Sequence, residues 1–469
     1  MRNDSPGTGV LWQRSLGRGT PAPETAVQAE ASESNALRGS DAQRFAVAGL
    51  CAFTLLLYIR PNELLPGLIG GLPLAKIVAI PTLIAFVVTR LSKGQQLTVW
   101  PREMKMLAVI VILGVALVPL AYNRQRSIET LTDTFFKVIT VFVLMVNLLD
   151  THAKLRSLMK LVVLCGTFIG LGAIRGFVLG HLDPNHLRLS TGGDSIYTNV
   201  NELAMALDLM LPFAVAFALT ARGASRFLYS VAAAIQTAGI VLTFSRGGFL
   251  GLIALGGVLL WKAGRGRRVV AIFAALLLGA CFAVTVPAGY TDRLFTIVHI
   301  QDDPTNSAQQ RRELLDRAFD VALRHPIVGV GIGNYPEYSI QGKAAHNSYL
   351  EIAAELGWLG LAAYLVFIFS PVPALRRIER NLLPIASKFS RESAANREIY
   401  FLSIALQAVI VAYLVCSFFS SSQYFWHLYY VIAYAVSLRA TYAAQSRTGE
   451  ARLSSTDELA GPGVIWGGR

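Results

Sequence analysis

Apolar runs of membrane-crossing length follow one another along most of the chain, at 45–59, 72–89, 106–121, 130–149, 158–179, 201–220, 227–243, 247–262, 269–287, 347–370, 399–420 and 423–443. A helix needs roughly 20 mainly apolar residues to cross a bilayer. The pattern therefore predicts an all-α polytopic membrane protein with about 12 transmembrane helices. Strand-type alternation is absent, which argues against a barrel. Flanking this region, 1–43 and 444–469 lack an apolar core and are expected to be disordered cytoplasmic tails around a membrane domain at 44–443.

The longest break in the apolar pattern, 288–345, is expected to be a large outer loop containing helical structure. Within it Ser307–Arg324 has helical spacing, with Leu314, Leu315, Ala318, Phe319, Ala322 and Leu323 on one face and Arg311, Arg312, Arg317 and Arg324 on the other. Such a helix can lie on lipid or pack on the bundle. The Gly329, Gly331 and Gly333 run that follows has no strand before it and no GK[ST] after it. It reads as a flexible re-entry towards His346.

Composition agrees with this class: 54% of the 469 residues are hydrophobic and 15% charged, with a mean hydropathy of +0.49. A net charge of +13 would point to nucleic acid in a soluble protein. Here the positive-inside rule accounts for it, because with the N-terminus inside, the inner loops carry 19 Lys and Arg against eleven in the outer segments. The predicted orientation is N-in and C-in, and no nucleic-acid partner is expected. Cys51, Cys165, Cys281 and Cys416 fall in apolar runs without CxxC spacing and read as small core residues.

Charge inside the runs carries the chemistry. Counted at about 1.5 Å per residue from the outer end, Lys76, Asp133, Lys137, Arg175, Glu202, Asp208, Glu351 and Glu355 all fall in the outer half of their spans. Charge in lipid is costly, so their shared depth predicts a polar cavity open to the outside. Any one of them can instead be an ion pair that holds helices together, such as Lys137 with Asp133 at i, i+4.

Arg246, in Ser245-Arg246-Gly247-Gly248, stands between two spans at the outer side, where Gly247 and Gly248 would allow a tight re-entry. A guanidinium there suits phosphate oxygens, although a belt arginine at a helix end has the same look. His346 precedes a helix whose positive end disfavours imidazolium, leaving a neutral base or an interfacial histidine bonded to water. Gly357 and Gly360, with Ala353 and Ala354, give that helix a small-residue face. No DxD, HExxH or cofactor motif is visible, so neither metal nor cofactor is expected.

Three features in this order, Ser245-Arg246-Gly247-Gly248, the Arg311-Arg312 helix ending in His325-Pro326, and His346-Asn347 ahead of Gly357-x-x-Gly360, resemble the O-antigen ligase and polymerase superfamily. The likeness is strongest over 195–370, where Asn201-Glu202-Leu203-Ala204 is similar to a polar entrance in that family. It implies a GT-C-like glycosyltransferase of the bacterial inner membrane that moves a glycan from undecaprenyl diphosphate to an acceptor on the periplasmic face, without metal and with inversion. The acceptor would be lipid A-core, another glycan or a protein.

By position, Arg246 and a loop arginine would hold the diphosphate and His346 would activate the acceptor hydroxyl. The family spacing of fourteen residues before the His-Pro pair selects Arg311, with Arg312 adjacent and Leu315 where an aromatic is usual. Asn347, Glu351, Glu355, Asn201, Arg175 and Lys137 are candidates for support. A polymerase would use the same chemistry with a second lipid-linked glycan. A transporter predicts repeated halves and charge at mid-membrane, and neither is seen.

Overall fold

The computed structural model describes residues 23–61, 67, 72–183, 188–189, 199–262, 307–386 and 393–459. Among them the architecture is helical, apart from an antiparallel pair of two-residue strands at Leu182–Asp183 and Arg188–Leu189. In chain order the helices are α1 (Pro23–Ile59), α2 (Leu74–Ser92), α3 (Arg102–Ala116), α4 (Arg124–Glu129), α5 (Phe136–Leu148), α6 (His152–Val178), α7 (Val200–Thr220), α8 (Gly223–Leu242) and α9 (Arg246–Lys262). There follow α10 (Ser307–Arg324), α11 (Tyr335–Tyr338), α12 (Ser348–Phe369), α13 (Val372–Ala386), α14 (Ser393–Ser417) and α15 (Trp426–Leu459).

Nine helices among the described residues are long and apolar enough to cross a membrane. The sequence pattern predicts twelve. Of the other three runs, 247–262 forms the 17-residue α9, 423–443 lies mostly in α15, and 269–287 is outside the described residues. Cys281 and residues 288–306 of the large loop are outside them too. Helix extends back to Pro23 and on to Leu459, so parts of the two segments expected to be disordered are helical here.

Apolar patterning all round α7 places it at the centre. It packs against α6, α8, α9 and α14, and fifteen of its residues are buried, including Met205, Phe213 and Phe217. By contrast α2 keeps Ile77, Ile80, Ile84 and Leu91 exposed, as a lipid-facing helix does. The amphipathic α13 inserts Leu375, Ile378 and Leu382 into the core and turns Arg376, Arg377 and Arg380 outward. Cys51, Cys165 and Cys416 are free thiols in or beside the core.

The loop helix α10 packs on α12 through Leu314, Ala318, Val321 and Ala322. Its apolar face is therefore narrower than the spacing suggests, since Phe319 and Leu323 are exposed. Small residues at the contact explain the choice: Ala318 and Ala322 let α10 approach Ala353 and Ala354 of α12 closely.

The glycine run after α10 is not a flexible link. Gly329, Gly331 and Gly333 all have positive φ (66°, 95° and 74°), and the stretch docks against a break in α12. The N–H groups of Val330 and Gly331 bond the carbonyls of Ala354 and Glu355, both at 2.9 Å. At Gly357 the backbone leaves helical geometry (φ 72°, ψ −179°), and the Trp358 N–H turns to the Pro326 carbonyl at 2.9 Å. Gly357 thus serves as a hinge in the chain path as well as a small residue.

Candidate functional site

Arg246 opens α9, and Ser245 caps it, its side-chain oxygen taking up a free N–H of the first turn. The Ser245 hydroxyl accepts the Gly248 N–H (3.2 Å) and donates to Asn201 Oδ1 (2.7 Å), which ties the start of α7 to the start of α9. The sharp turn falls at Phe244 (φ 54°), whereas Gly247 and Gly248 lie inside the helix. Their part is close packing: a Cβ on Gly248 would collide with the Ala204 Cβ, so the expected re-entry role passes to Phe244.

His346 is half-buried and has left-handed backbone (φ 52°). Most L-residues avoid that region. Both neighbours are held. On one side Ala345 donates its N–H to Glu351 Oε2 (2.9 Å). On the other Asn347 caps α12, its Oδ1 accepting the N–H groups of Tyr349 (3.0 Å) and Leu350 (2.9 Å). Glu351 also accepts the Ser421 hydroxyl and the Gln423 amide (3.0 Å).

The α14–α15 turn joins these two sites. Phe419 packs on Gly247, and the Phe418 carbonyl accepts from Asn347 Nδ2 at 3.2 Å. Ser348 donates to the Ser420 carbonyl (2.7 Å) and accepts the Ser422 N–H (2.8 Å). Arg246 and His346 therefore stand at the same end of the bundle, on opposite sides of one turn. Residues 418–424 escaped the sequence reading, and the only signal was the polar gap between the last two apolar runs.

Glu355 has a structural part. Its carboxylate accepts the Tyr335 N–H (3.2 Å) and the Tyr424 hydroxyl (2.8 Å), so it links the outer loop to the same turn. Burial disfavours a phenolate, and it pushes the Tyr335 hydroxyl up from its ordinary range. That hydroxyl donates to the Leu314 carbonyl at 2.9 Å. Arg311 is half-buried, three and seven residues before the buried Leu314 and Ala318, while Arg312 is exposed. That difference favours Arg311 as the arginine facing the bundle.

Among the described residues the remaining charges differ in their surroundings. A polar depression of about 600 Å³ is lined by Asn123, Gln125, Arg126, Glu129, Thr130, Asp133 and Thr134, and only Asp133 belongs to the predicted set. Asp208, Glu351 and Glu355 are buried within the bundle, whereas Lys76 and Arg175 are exposed. Lys137 is half-buried and forms no ion pair with Asp133 among the described residues. Asp133 itself lies in a π turn at Thr130–Phe135. Neither Lys137 nor Arg175 makes a hydrogen bond or ion pair to the His346 cluster among the described residues.

Replacing Glu351 by Ala is expected to cost about 3 kcal/mol, because it strands buried donors that each cost about 1–3 kcal/mol unpaired. Thermal unfolding in detergent checks this. A loss below about 1 kcal/mol would remove Glu351 from the clamp on His346.

No curated protein matches the chain. Residues 231–365 match the family model described as O-antigen ligase, a stretch that holds Arg246, Arg311 and His346. Over that stretch, less than a third of its length, the chain is similar to the O-antigen ligase family.

Proposed function

We propose that the chain is a membrane glycosyltransferase that moves a glycan from an undecaprenyl-diphosphate carrier to an acceptor hydroxyl at the membrane face where His346 lies. The observation that carries this reading is the α14–α15 turn, which sets a cationic helix start and an imidazole at one end of the bundle. In the proposed step the acceptor oxygen attacks the anomeric carbon while His346 takes its proton. The bond to the diphosphate breaks on the opposite face, giving inversion in a single displacement. Arg246 and Arg311 stabilise the charge that develops on the leaving diphosphate, as preorganised cations do in a partly dehydrated site. Two guanidinium groups supply the positive charge, so the step needs no metal.

The active face is proposed to be the periplasmic side of the bacterial inner membrane, with both termini cytoplasmic. A lipid A-core, glycan or protein acceptor makes the enzyme a ligase, and a second lipid-linked glycan makes it a polymerase. The test supplies purified full-length protein with a polyprenyl-diphosphate glycan and each acceptor class in the presence of a chelator. Transfer should persist with chelator and fall about 10²-fold or more in Arg246→Ala. Undiminished transfer by that variant would reject the phosphate role of Arg246, and chelator sensitivity would reject the metal-free mechanism.

A further inference from the structure

Resting on the glycosyl-transfer reading, we propose that the exposed flank of α10 and the adjoining break in α12 form the track for the polyprenyl tail of the donor. Arg311, Leu315, Phe319 and Leu323 recur at i, i+4 along α10, and Ile327 follows just past its end. The adjoining face is already occupied against α12 by Leu314, Ala318, Val321 and Ala322, and Arg311 stands at the border between the two. Leu315 is half-buried, and beyond it Phe319 is 46% exposed, Leu323 53% and Ile327 78%.

The far end of this stripe meets the break in α12 at Gly357, within a helix long and apolar enough to cross a membrane. Trp358 stands ten residues into the span that begins at Ser348. Its N–H holds the Pro326 carbonyl. Trp358 and Leu359 are themselves exposed beside Ile327, so the apolar flank of α10 runs on into the lipid-facing side of α12. Asp320 and Arg324 pair at 3.7 Å, which balances their charges next to the stripe.

A guanidinium at one end and a continuous apolar flank at the other match an amphiphile with an anionic head and a long hydrocarbon chain. The diphosphate lies at Arg311 and the isoprenoid chain extends along Phe319, Leu323 and Ile327 towards Trp358. Phospholipid tails are the competing occupant.

The experiment uses the full-length protein and two donors that share a diphosphate-glycan head, one on a long polyprenyl chain and one on a chain of two isoprene units. In a Phe319→Ser, Leu323→Ser double variant, KM for the long-chain donor should rise about tenfold with kcat unchanged, while KM for the short-chain donor stays the same. Both positions are exposed, and an unchanged melting temperature confirms the fold. An equal change with both donors, or no change with either, overturns the assignment and leaves the flank to phospholipid. If the unsubstituted protein transfers glycan from neither donor, the glycosyl-transfer reading fails first and the track falls with it.

Discussion

Glycan transfer is expected to fall by about 10² to 10⁴-fold when His346 is replaced by Asn, the range contributed by a positioned general base. Asn is the informative substitution because the site demands left-handed backbone (φ 52°). Asn tolerates that conformation far better than Ala does. The change removes the basic nitrogen and leaves the chain path in place. The Ala345 N–H should still reach Glu351, and Asn347 should still cap α12. Melting temperature is accordingly expected to stay near that of the unsubstituted protein. Transfer within a few-fold of the original would show that no base acts at this position. A large drop in melting temperature together with activity would show instead that the imidazole holds the fold.

Gly357→Ala is expected to prevent stable folding. The residue sits at φ 72° and ψ −179°, a region almost reserved for glycine. Forcing a side chain there costs about 1–3 kcal/mol before any clash is counted. A Cβ would also stand 2.5 Å from the Ile327 carbonyl oxygen, a backbone atom held by its own neighbours. Gly329 meets the same break from the other side, where a Cβ would collide with the Glu355 carbonyl oxygen. Relief of either contact would separate α12 from the segment after α10. It would break the bonds from Val330, Gly331 and Trp358 together. The measurement is the yield of monodisperse protein in detergent and its unfolding temperature. Gly172→Ala is the control, because its Cβ would meet nothing within 4 Å on α6. Equal yields for the two variants would show that the break in α12 can be straightened without loss.

These expectations draw unevenly on what the chain displays in one dimension. Arg246, Arg311 and His346 are visible as motifs, because their types and spacing survive without coordinates. Glu351 and Glu355 are visible as costly charges in an apolar run, but their work is not: both carboxylates accept hydrogen bonds from residues outside their own helix. Burial of the other charges is hidden for the same reason. Depth along a span is a property of one helix, whereas burial depends on which helices surround it, and Asp208 lies fully buried on central α7 while Arg175 is exposed on α6. Lys137 and Asp133 have the spacing of an ion pair, yet form none among the described residues.

The helices themselves were legible because transfer of an apolar run into lipid is a local free energy, summed over about 20 neighbouring residues. Arg246, Arg311 and His346 could be nominated for the same reason, as local chemistry at helix ends. Assembly of a site is a different problem. Glu351 meets Ser421 and Gln423 across 70 and 72 residues of sequence, and no periodicity encodes such a pairing. Packing around α7, the glycine break at Gly357 and the turn at 418–424 determine which helix ends meet and which carboxylates hold backbone. Those outcomes follow from close contact between distant segments, and they exist only once the chain has folded.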